Sequence, residues 1–422
     1  MIFGKRLNLH ITFYALMFVV LGCSLVLMVA SYFSDVIWSL YHGVYLCVLI
    51  VYTWYILVLL FFNELHKEEY TRYKNEKIAV LIPLYNEDYV LFKRALRSVV
   101  KAKGNKEIFV IDDGSTKGAN KKQLRKLCAE VGVEIHFFST NKGKRHALYH
   151  GVRKMISNHV FVVTIDSDTV LDENALIRVV EPLKSAGIGA STGNILLLNE
   201  NQNTLTRMVG AYYWIGLNIF KKAQSTLGIV VCCSGCLAAY KTNLLKDIMD
   251  DFIAQEFLGE KCTHSEDRHL TNLVLKKGYL VKFVEEAISY TQTPHTVTGF
   301  LKQQQRWKRG FIRESTFTLS YAWRVRPALF MQILLCELSI PFFAFGLMIG
   351  IVMTIFSKPE IFVSVILPSW LAFMFVRYIH VFFYAKRKIP GLLIYMFFYE
   401  IFLYWQFIYA LFTVRNKSWI TR

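Results

Sequence analysis

Cysteine is scarce in this chain, and its few cysteines form no paired framework. Only eight of the 422 residues are cysteine, and three of these lie in long apolar runs. This usage excludes the disulfide scaffolds of small secreted proteins and indicates reduced thiols in the cytosol. Cys232, Cys233 and Cys236 are close enough to suggest zinc, but no second Cys or His pair with ligand spacing accompanies them. We therefore expect no structural zinc site.

Acidic residues are also few, with 31 Asp and Glu against 49 Lys and Arg, for a formal net charge of +18. A charge of this size can indicate nucleic acid, but no aromatic and basic recognition module accompanies it. Membrane proteins collect Lys and Arg on their cytosolic flanks, which accounts for much of the excess. We predict no nucleic-acid partner, while an anionic small substrate such as a nucleotide stays compatible.

Long apolar runs are abundant, since 54% of the residues are hydrophobic. Residues 10–31 and 36–62 are each long enough to cross a bilayer of about 30 Å at 1.5 Å per residue. The first run lacks a convincing small-residue cleavage site and is followed at once by the second, which argues against a signal peptide. Two N-terminal transmembrane helices are predicted.

Apolar runs return near the C-terminus at residues 329–356, 361–384 and 392–414. Three spans would place the basic tail outside while Lys386, Arg387 and Lys388 stay inside, which conflicts with the positive-inside rule. We therefore expect residues 392–414, which follow Pro390-Gly391, to be re-entrant or interfacial, with a cytosolic tail. An ordinary span with an extracellular tail is the alternative.

These patterns divide the chain into four predicted regions. They are two transmembrane helices (1–62), a cytosolic domain (63–300), an amphipathic interface helix (301–325) and a C-terminal membrane region (326–422).

The cytosolic region alternates strand-like and helix-like segments. Strand-like runs at 78–83, 107–111, 133–138 and 160–165 are separated by helix-like stretches. Such alternation is typical of βαβ units. It predicts an α/β domain with a mainly parallel sheet.

Carboxylates follow two of these runs. Asp166-Ser167-Asp168 ends the run at 160–165, and Asp112-Asp113-Gly114 ends the run at 107–111. Tyr85 and Glu87 follow the first run, so all these side chains are expected at one sheet edge, where ligands of parallel sheets bind. Asp166 and Asp168 are either an ordinary polar strand end or a site for a hard metal that also holds phosphate.

Three further segments carry charge. Lys144 lies in a basic turn at a predicted helix start, which is either a solvated turn or a phosphate contact. Glu266-Asp267 precedes a helical pattern, as helix decoration or as a source of a general base. Gln303, Arg306 and Trp307 lie in a basic and aromatic stretch typical of a membrane-surface helix.

Taken in order, these motifs resemble the signature of processive family-two glycosyltransferases with a GT-A fold, such as cellulose, chitin and hyaluronan synthases. The likeness to bacterial hyaluronan synthases and chitin-oligosaccharide synthases is particularly marked, from about residue 78 to the C-terminus. Two positions depart from that pattern: Cys236 replaces a usual proline, and Ile420 replaces the glycine of a terminal Trp-Gly-Thr-Arg.

The resemblance implies a role for each motif. Asp267 would be the catalytic base, and Asp166 and Asp168 would bind Mg²⁺ or Mn²⁺ bridging a UDP diphosphate. The implied nucleotide-sugar contacts are Tyr85, Glu87, Asp112, Asp113, Lys144, Asp166, Arg313, Trp419 and Arg422. The implied acceptor contacts are Cys233, Ser234, Gly235, Glu266, Gln303, Arg306 and Trp307.

The implied activity is that of an inverting, metal-dependent hexosyltransferase in the plasma membrane, with its catalytic domain in the cytosol. It would polymerise UDP-sugars into a β-linked extracellular or capsular polysaccharide and extrude the chain. Hyaluronan from UDP-GlcNAc and UDP-GlcA is the first expectation, with a chitin-type GlcNAc polymer or another capsular polymer as alternatives. Two alternatives belong to different functional classes. One is a non-processive transferase that acts on a lipid carrier, and the other is a membrane protein that merely binds nucleotide.

Overall fold

The computed structural model describes residues 59–61, 69–155, 158–334, 384–399 and 405–416, with isolated positions 352, 356, 378, 381, 382 and 403. The chain divides into two compact units, Met1–Lys67 with Met331–Trp405 and Glu68–Phe330 with Gln406–Arg422. The second unit contains the sheet and the candidate site.

The second unit is built on an eight-stranded mixed sheet of order β3-β2-β1-β4-β7-β6-β10-β5, with a separate β8-β9 ribbon. The strands are β1 (Ile78–Leu84), β2 (Lys106–Asp112), β3 (Glu134–Phe137), β4 (Phe161–Thr164), β5 (Val170–Leu171), β6 (Ile188–Leu197), β7 (Ala238–Lys241), β8 (Glu256–Phe257), β9 (Glu260–Lys261) and β10 (Leu280–Thr291).

Helices connect these strands, and further helices follow the sheet. They are α1 (Tyr89–Lys101), α2 (Lys121–Glu130), α3 (Lys144–His150), α4 (Ala175–Val180), α5 (Thr204–Ile215), α6 (Lys222–Thr226), α7 (Thr242–Ile253), α8 (Glu266–Lys276), α9 (Val297–Val325), α10 (Pro327–Met331), α11 (Ile389–Ile394) and α12 (Trp405–Phe412). Short π-helical turns extend α3, α5 and α11 at Gly151–Met155, Gly216–Lys221 and Tyr395–Tyr399.

The first four strands form where the apolar runs predict them. All seven residues of β1 are buried, as expected for a strand covered on both faces. Strands β2 and β4 flank β1 in parallel, and β3 pairs in parallel with β2. The α/β prediction is confirmed for this half of the sheet.

The other half departs from a purely parallel arrangement. Strand β7 lies between β4 and β6 and is antiparallel to both. Because Thr164 pairs with Ala238, the segment that enters β7 lies beside the residues that leave β4. The antiparallel strand thus brings the loop before residue 238 to the edge that carries Asp166.

Within the part of the chain that the structure describes, no helix is long and apolar enough to cross a membrane. The predicted spans at 10–31, 36–62, 329–356 and 361–384 lie wholly or largely outside the described residues. In the second unit, Arg309 Nε of α9 donates to Thr413 Oγ1 at 3.1 Å, just beyond α12.

Candidate active site

The two-aspartate motif after β4 lies beside the segment that leaves β1. Ser167 Oγ donates to Glu87 Oε2 at 2.6 Å, and both side chains are buried. Asp166 and Asp168 flank this contact and are half-buried. Tyr85, one of the predicted nucleotide contacts, is half-buried two residues before Glu87. The structure therefore brings together the two strand ends that the sequence placed at one edge.

Lys144, the first residue of α3, links two acidic motifs that are distant in sequence. Its Nζ lies 2.5 Å from Asp166 Oδ1 and 2.9 Å from Glu266 Oε1. Burial alone would lower the pKa of the Lys144 ammonium, but the two carboxylates outweigh burial and raise it. Lys144 therefore stays charged between the motifs.

Glu266 and Asp267 begin α8 and differ in the directions of their pKa shifts. Burial opposes the charge of Glu266, but Lys144 beside it holds the Glu266 pKa below its usual range. The pKa of Asp267 is raised, first by burial and then by the negative charge of Glu266, while Lys144 opposes the shift. A carboxylate with a raised pKa is a better proton acceptor than an ordinary aspartate, as a general base requires.

A small pocket brings these groups together. Lys144, Asp166, Gly235, Glu266 and Asp267 line it with apolar and aromatic neighbours. The remaining lining residues are Pro83, Leu148, Thr164, Ile165, Tyr240 and Leu270. The pocket thus contains the predicted base, the predicted donor lysine and one predicted metal ligand.

The loop before β7 passes close to Lys144 and Asp166 at Gly235. A Cβ at Gly235 would lie 2.8 Å from Lys144 Nζ and 3.0 Å from both Asp166 carboxylate oxygens, so a side chain at this position would crowd the site. The Cys236 thiol lies 3.9 Å from Asp166 Oδ2, within reach of a weak S–H hydrogen bond. Burial raises the pKa of this thiol, which remains protonated and able to donate.

Ser234 and Cys233, the other two predicted acceptor contacts in this loop, differ in solvent exposure. Lys221 Nζ lies 2.6 Å from Ser234 Oγ, and this hydroxyl is partly accessible. Cys233 is fully buried, and its backbone N–H donates to Thr271 Oγ1 at 2.8 Å. The Cys233 side chain therefore contributes to packing, and an acceptor contact from this residue stays a prediction.

The chemistry of Asp166 and Asp168 fits a hard divalent cation. Carboxylate oxygens are the ligands that Mg²⁺ and Mn²⁺ prefer, and both ions complete their shells with phosphate and water oxygens. Asp166 lines the pocket, and both aspartates are half-buried, so part of each side chain is accessible. Among the described residues, no cluster of three or more His, Cys, Asp or Glu side chains is arranged to hold a metal by itself.

Asp112 and Asp113 are engaged in local contacts. Asp112 Oδ1 accepts from Ser115 Oγ at 2.5 Å. Asp113 accepts from the backbone N–H groups of Lys142 and Gly143, both at 2.8 Å. Both carboxylates are buried: Asp112 holds the turn after β2, and Asp113 holds the turn that leads into α3. A direct uridine contact stays a prediction.

The acceptor motif lies on α9. Trp307 faces Tyr213 of α5, with ring centroids 6.2 Å apart and planes inclined by 53°. Burial raises the pKa of Tyr213, and the charges of Asp168 and Arg306 also act on it, so this ring lies near both motifs. Gln303 and Arg306 are half-buried on the same helix. Tyr213 belongs to the site, although nothing in the sequence around it singles it out.

Arg313 lies further along α9 and is buried. Its Nε donates to Glu314 Oε1 at 3.3 Å, and its Nη2 donates to the backbone carbonyl of His264. These contacts give Arg313 a structural role, while the diphosphate contact stays a prediction. Trp419 and Arg422 lie outside the described residues.

A solved structure of similar fold is the mannosyltransferase PcManGT from Pyrobaculum calidifontis in complex with GDP-Man and Mn²⁺. The TM-score is 0.59 at 15% identity, over 89% of this chain and 96% of that one. At this identity the likeness shows the fold alone. The predicted GT-A-type α/β fold is thereby confirmed, whereas its membrane setting stays a prediction.

Curated relatives include proteins named N-acetylglucosaminyltransferase. The one from Bradyrhizobium diazoefficiens is 34% identical over 255 residues, covering 60% of this chain and 51% of its own length. The one from Azorhizobium caulinodans is 30% identical over 249 residues, covering 58% of this chain and 62% of its own length. The chain thus spans only about half to three-fifths of these relatives.

The model of the family described as glycosyltransferase like family 2 matches residues 75–310, which is more than half of the chain. The matched range includes the sheet, the loop before β7, the acid pair of α8 and the start of α9. This chain therefore belongs to glycosyltransferase family 2.

Proposed function

We propose that this protein transfers N-acetylglucosamine from UDP-GlcNAc to an acceptor sugar with inversion, and repeats the step to build a β-linked GlcNAc polymer. The observation that carries the proposal is the pocket in which Asp267, with a raised pKa, lies beside Lys144 and Asp166. The names of the relatives support GlcNAc as the transferred sugar.

Asp267 performs the proton chemistry. Its carboxylate accepts the proton of the acceptor hydroxyl while the acceptor oxygen forms a bond to the anomeric carbon of the donor. The bond between that carbon and the UDP oxygen breaks on the opposite face, and UDP leaves with the electron pair. A single displacement of this kind inverts the anomeric configuration and gives a β-linkage from an α-linked donor.

Residues on the opposite side of the pocket bind the leaving group, UDP, and offset its negative charge. Lys144 donates hydrogen bonds to the diphosphate and offsets its charge. Asp166 and Asp168 would hold Mg²⁺ or Mn²⁺, which supplies further positive charge to the departing UDP when bound. Glu266 keeps Lys144 charged and oriented through their 2.9 Å contact.

The acceptor binds along α9. Trp307 and Tyr213 form an inclined aromatic pair on which a sugar ring stacks, and Gln303 and Arg306 offer polar groups to its hydroxyls. In the proposed polymerase, the product remains on this surface between cycles. The predicted spans anchor the enzyme in the plasma membrane and provide the route for the polymer, with the catalytic domain in the cytosol.

Hyaluronan synthesis is the second candidate, because the motif resemblance includes hyaluronan synthases. Both activities share the GlcNAc step, and they differ in the need for a glucuronate donor. The names of the relatives favour the GlcNAc polymer as the first candidate.

The test uses purified full-length protein with Mn²⁺ and UDP-GlcNAc, UDP-GlcA or both, followed by sizing of the product. Long polymer from UDP-GlcNAc alone supports the proposal. Polymer that forms only with both donors identifies a hyaluronan synthase, and product that requires added lipid acceptor identifies a lipid-carrier transferase. Absence of UDP release with every donor overturns the proposal.

A further inference from the structure

A buried carboxylate, Glu314, lies on α9 and has no exposed surface. Its Oε1 accepts from Gln255 Nε2 at 2.7 Å and from Arg313 Nε at 3.3 Å. Its Oε2 lies 3.0 Å from His269 Nδ1 and accepts from Asn272 Nδ2 at 3.2 Å. Both oxygens are therefore saturated by protein groups, and Glu314 is unavailable to a substrate.

The partners of Glu314 come from the segments that carry the chemistry. His269 and Asn272 lie on α8, two and five residues after Asp267. Gln255 also accepts from Arg145 Nη2 at 2.8 Å, and Arg145 directly follows Lys144. One carboxylate thus connects the donor helix α3, the base helix α8 and the acceptor helix α9.

A second contact joins α8 and α9 at the same place. Gly310 packs so tightly against Ser265 that a Cβ at position 310 would lie 1.8 Å from Ser265 Oγ. Ser265 immediately precedes Glu266 and adopts a left-handed backbone with φ of 62°. Arg313 adds a hydrogen bond to the carbonyl of His264. Three residues of α9, Gly310, Arg313 and Glu314, therefore hold the start of α8 in place.

We propose that Glu314 is a positioning residue that fixes Asp267 relative to the donor lysine and the acceptor motif. The inference rests on the proposed function, since it assigns Asp267 the role of base. An acceptor-only carboxylate is required because all four of its partners donate. The contact with His269 fits a neutral imidazole whose Nδ1–H donates, and burial lowers the pKa of that ring.

The first variant is Glu314→Gln. The glutamine amide has one acceptor oxygen and one donating NH₂ group. The NH₂ group would therefore face two of the four donors that now bind Glu314. We expect kcat to fall by about a hundredfold, the size of effect that misplacement of a catalytic group by about 1 Å produces. The KM for UDP-GlcNAc and the affinity for UDP with Mn²⁺ should stay within about threefold, because the donor groups are untouched. Glu314→Asp should recover part of kcat.

A milder variant and a matched control allow the proposal to be tested even if Glu314→Gln folds poorly. Gln255→Ala removes one donor and the link to Arg145, and should lower kcat by about three- to tenfold with an unchanged KM. Leu127→Ala creates a cavity at a fully buried position of α2, away from the site, and should lower stability without lowering kcat per folded molecule.

Hydrogen exchange of residues 264–270 provides a readout independent of turnover. Faster exchange there in Glu314→Gln, together with the selective loss of kcat, supports the positioning role. Wild-type kcat per folded molecule in both Glu314→Gln and Gln255→Ala overturns it, even if both variants are less stable. If the wild type itself releases no UDP from UDP-GlcNAc, the proposed function fails, while the exchange measurement still tests the link between α8 and α9.

Discussion

Two of the adjacent acid pairs in this domain, Asp112-Asp113 at the end of β2 and Glu266-Asp267 at the start of α8, have different surroundings. In the first pair, each carboxylate accepts hydrogen bonds from nearby backbone or hydroxyl groups. In the second pair, the charge of Glu266 is met by the side chain of Lys144, and both acids line a pocket. Asp112 and Asp113 thus hold turns, whereas both acids of the second pair line a pocket.

The direction of the pKa shift alone does not separate Asp113 from Asp267. Burial raises the pKa of Asp113 in spite of its two backbone hydrogen bonds. Burial also raises the pKa of Asp267, and the charge of Glu266 adds to that shift. One acid of each pair thus has a raised pKa, and of these two acids only Asp267 lines the pocket. A perturbed carboxyl is a functional candidate only where a substrate can reach it.

The largest expected effect is that of Asp267→Asn. The amide cannot accept the acceptor proton, so turnover should fall by about a thousandfold or more. Affinity for UDP with Mn²⁺, measured by calorimetry, should change little because Lys144, Asp166 and Asp168 remain. Joint loss of binding and turnover would contradict the assignment of Asp267 as the base.

Asp113→Asn should mainly affect stability. The amide leaves one of the backbone donors, Lys142 N–H or Gly143 N–H, without an acceptor, which costs about 1–3 kcal/mol. Urea unfolding measures this loss, and kcat per folded molecule should fall less than in Asp267→Asn. Asp88→Asn is the control, because Asp88 caps α1 on the surface and asparagine caps equally well. A larger loss of kcat in Asp113→Asn than in Asp267→Asn would reverse the comparison.

The pH profile tests the coupling within the second pair. Asp267 must be deprotonated to act, so kcat/KM should fall as the pH drops through its raised pKa. Glu266→Gln removes the neighbouring negative charge, which should lower the Asp267 pKa and move the acid limb to lower pH. Glu173→Gln, an exposed partner of Lys103, should leave the limb in place. An acid limb that moves to higher pH in Glu266→Gln would show that loss of the Lys144 contact dominates.

The smallest expected effect is that of Cys236→Ser. A serine hydroxyl can also donate to Asp166, so turnover and the Mn²⁺ concentration for half-maximal rate should stay within about threefold. Cys236→Ala removes the donor and should produce the larger change of the two. Equal effects of Ser and Ala would show that the thiol does not orient Asp166.

The sequence predicts those parts of the fold that leave a continuous apolar signal. Strands β1 and β4 are buried along their whole length, and β2 is buried from Ile108 onwards, so each contains a continuous apolar run. Strand β7 spans only Ala238–Lys241 and carries no such run, and its antiparallel direction depends on tertiary pairing. The chain around residue 238 therefore gave no indication that it enters the sheet beside β4.

The candidate site also contains residues that the sequence indicates and residues that only the fold brings together. Short motifs indicated Asp166, Lys144 and the acid pair, because charged residues next to apolar runs stand out. The bridge from Lys144 to Glu266 joins residues 122 positions apart, and only the fold brings them together. Tyr213 lies in ordinary helical sequence that nothing singles out. Glu314 ends the polar, basic and aromatic segment 303–314, but the local pattern could not show which side chains it contacts.

The contact between Gly310 and Ser265 limits how this enzyme can evolve or be redesigned. Any side chain at position 310 would push against Ser265, the residue directly before α8, and so would shift both acids at the start of that helix. Under the proposed function, libraries intended to change acceptor choice would vary the face of α9 around Trp307, whereas position 310 should tolerate glycine alone. Trp307 and Gly310 lie only three residues apart, yet the half-buried Trp307 position leaves room for change and position 310 does not.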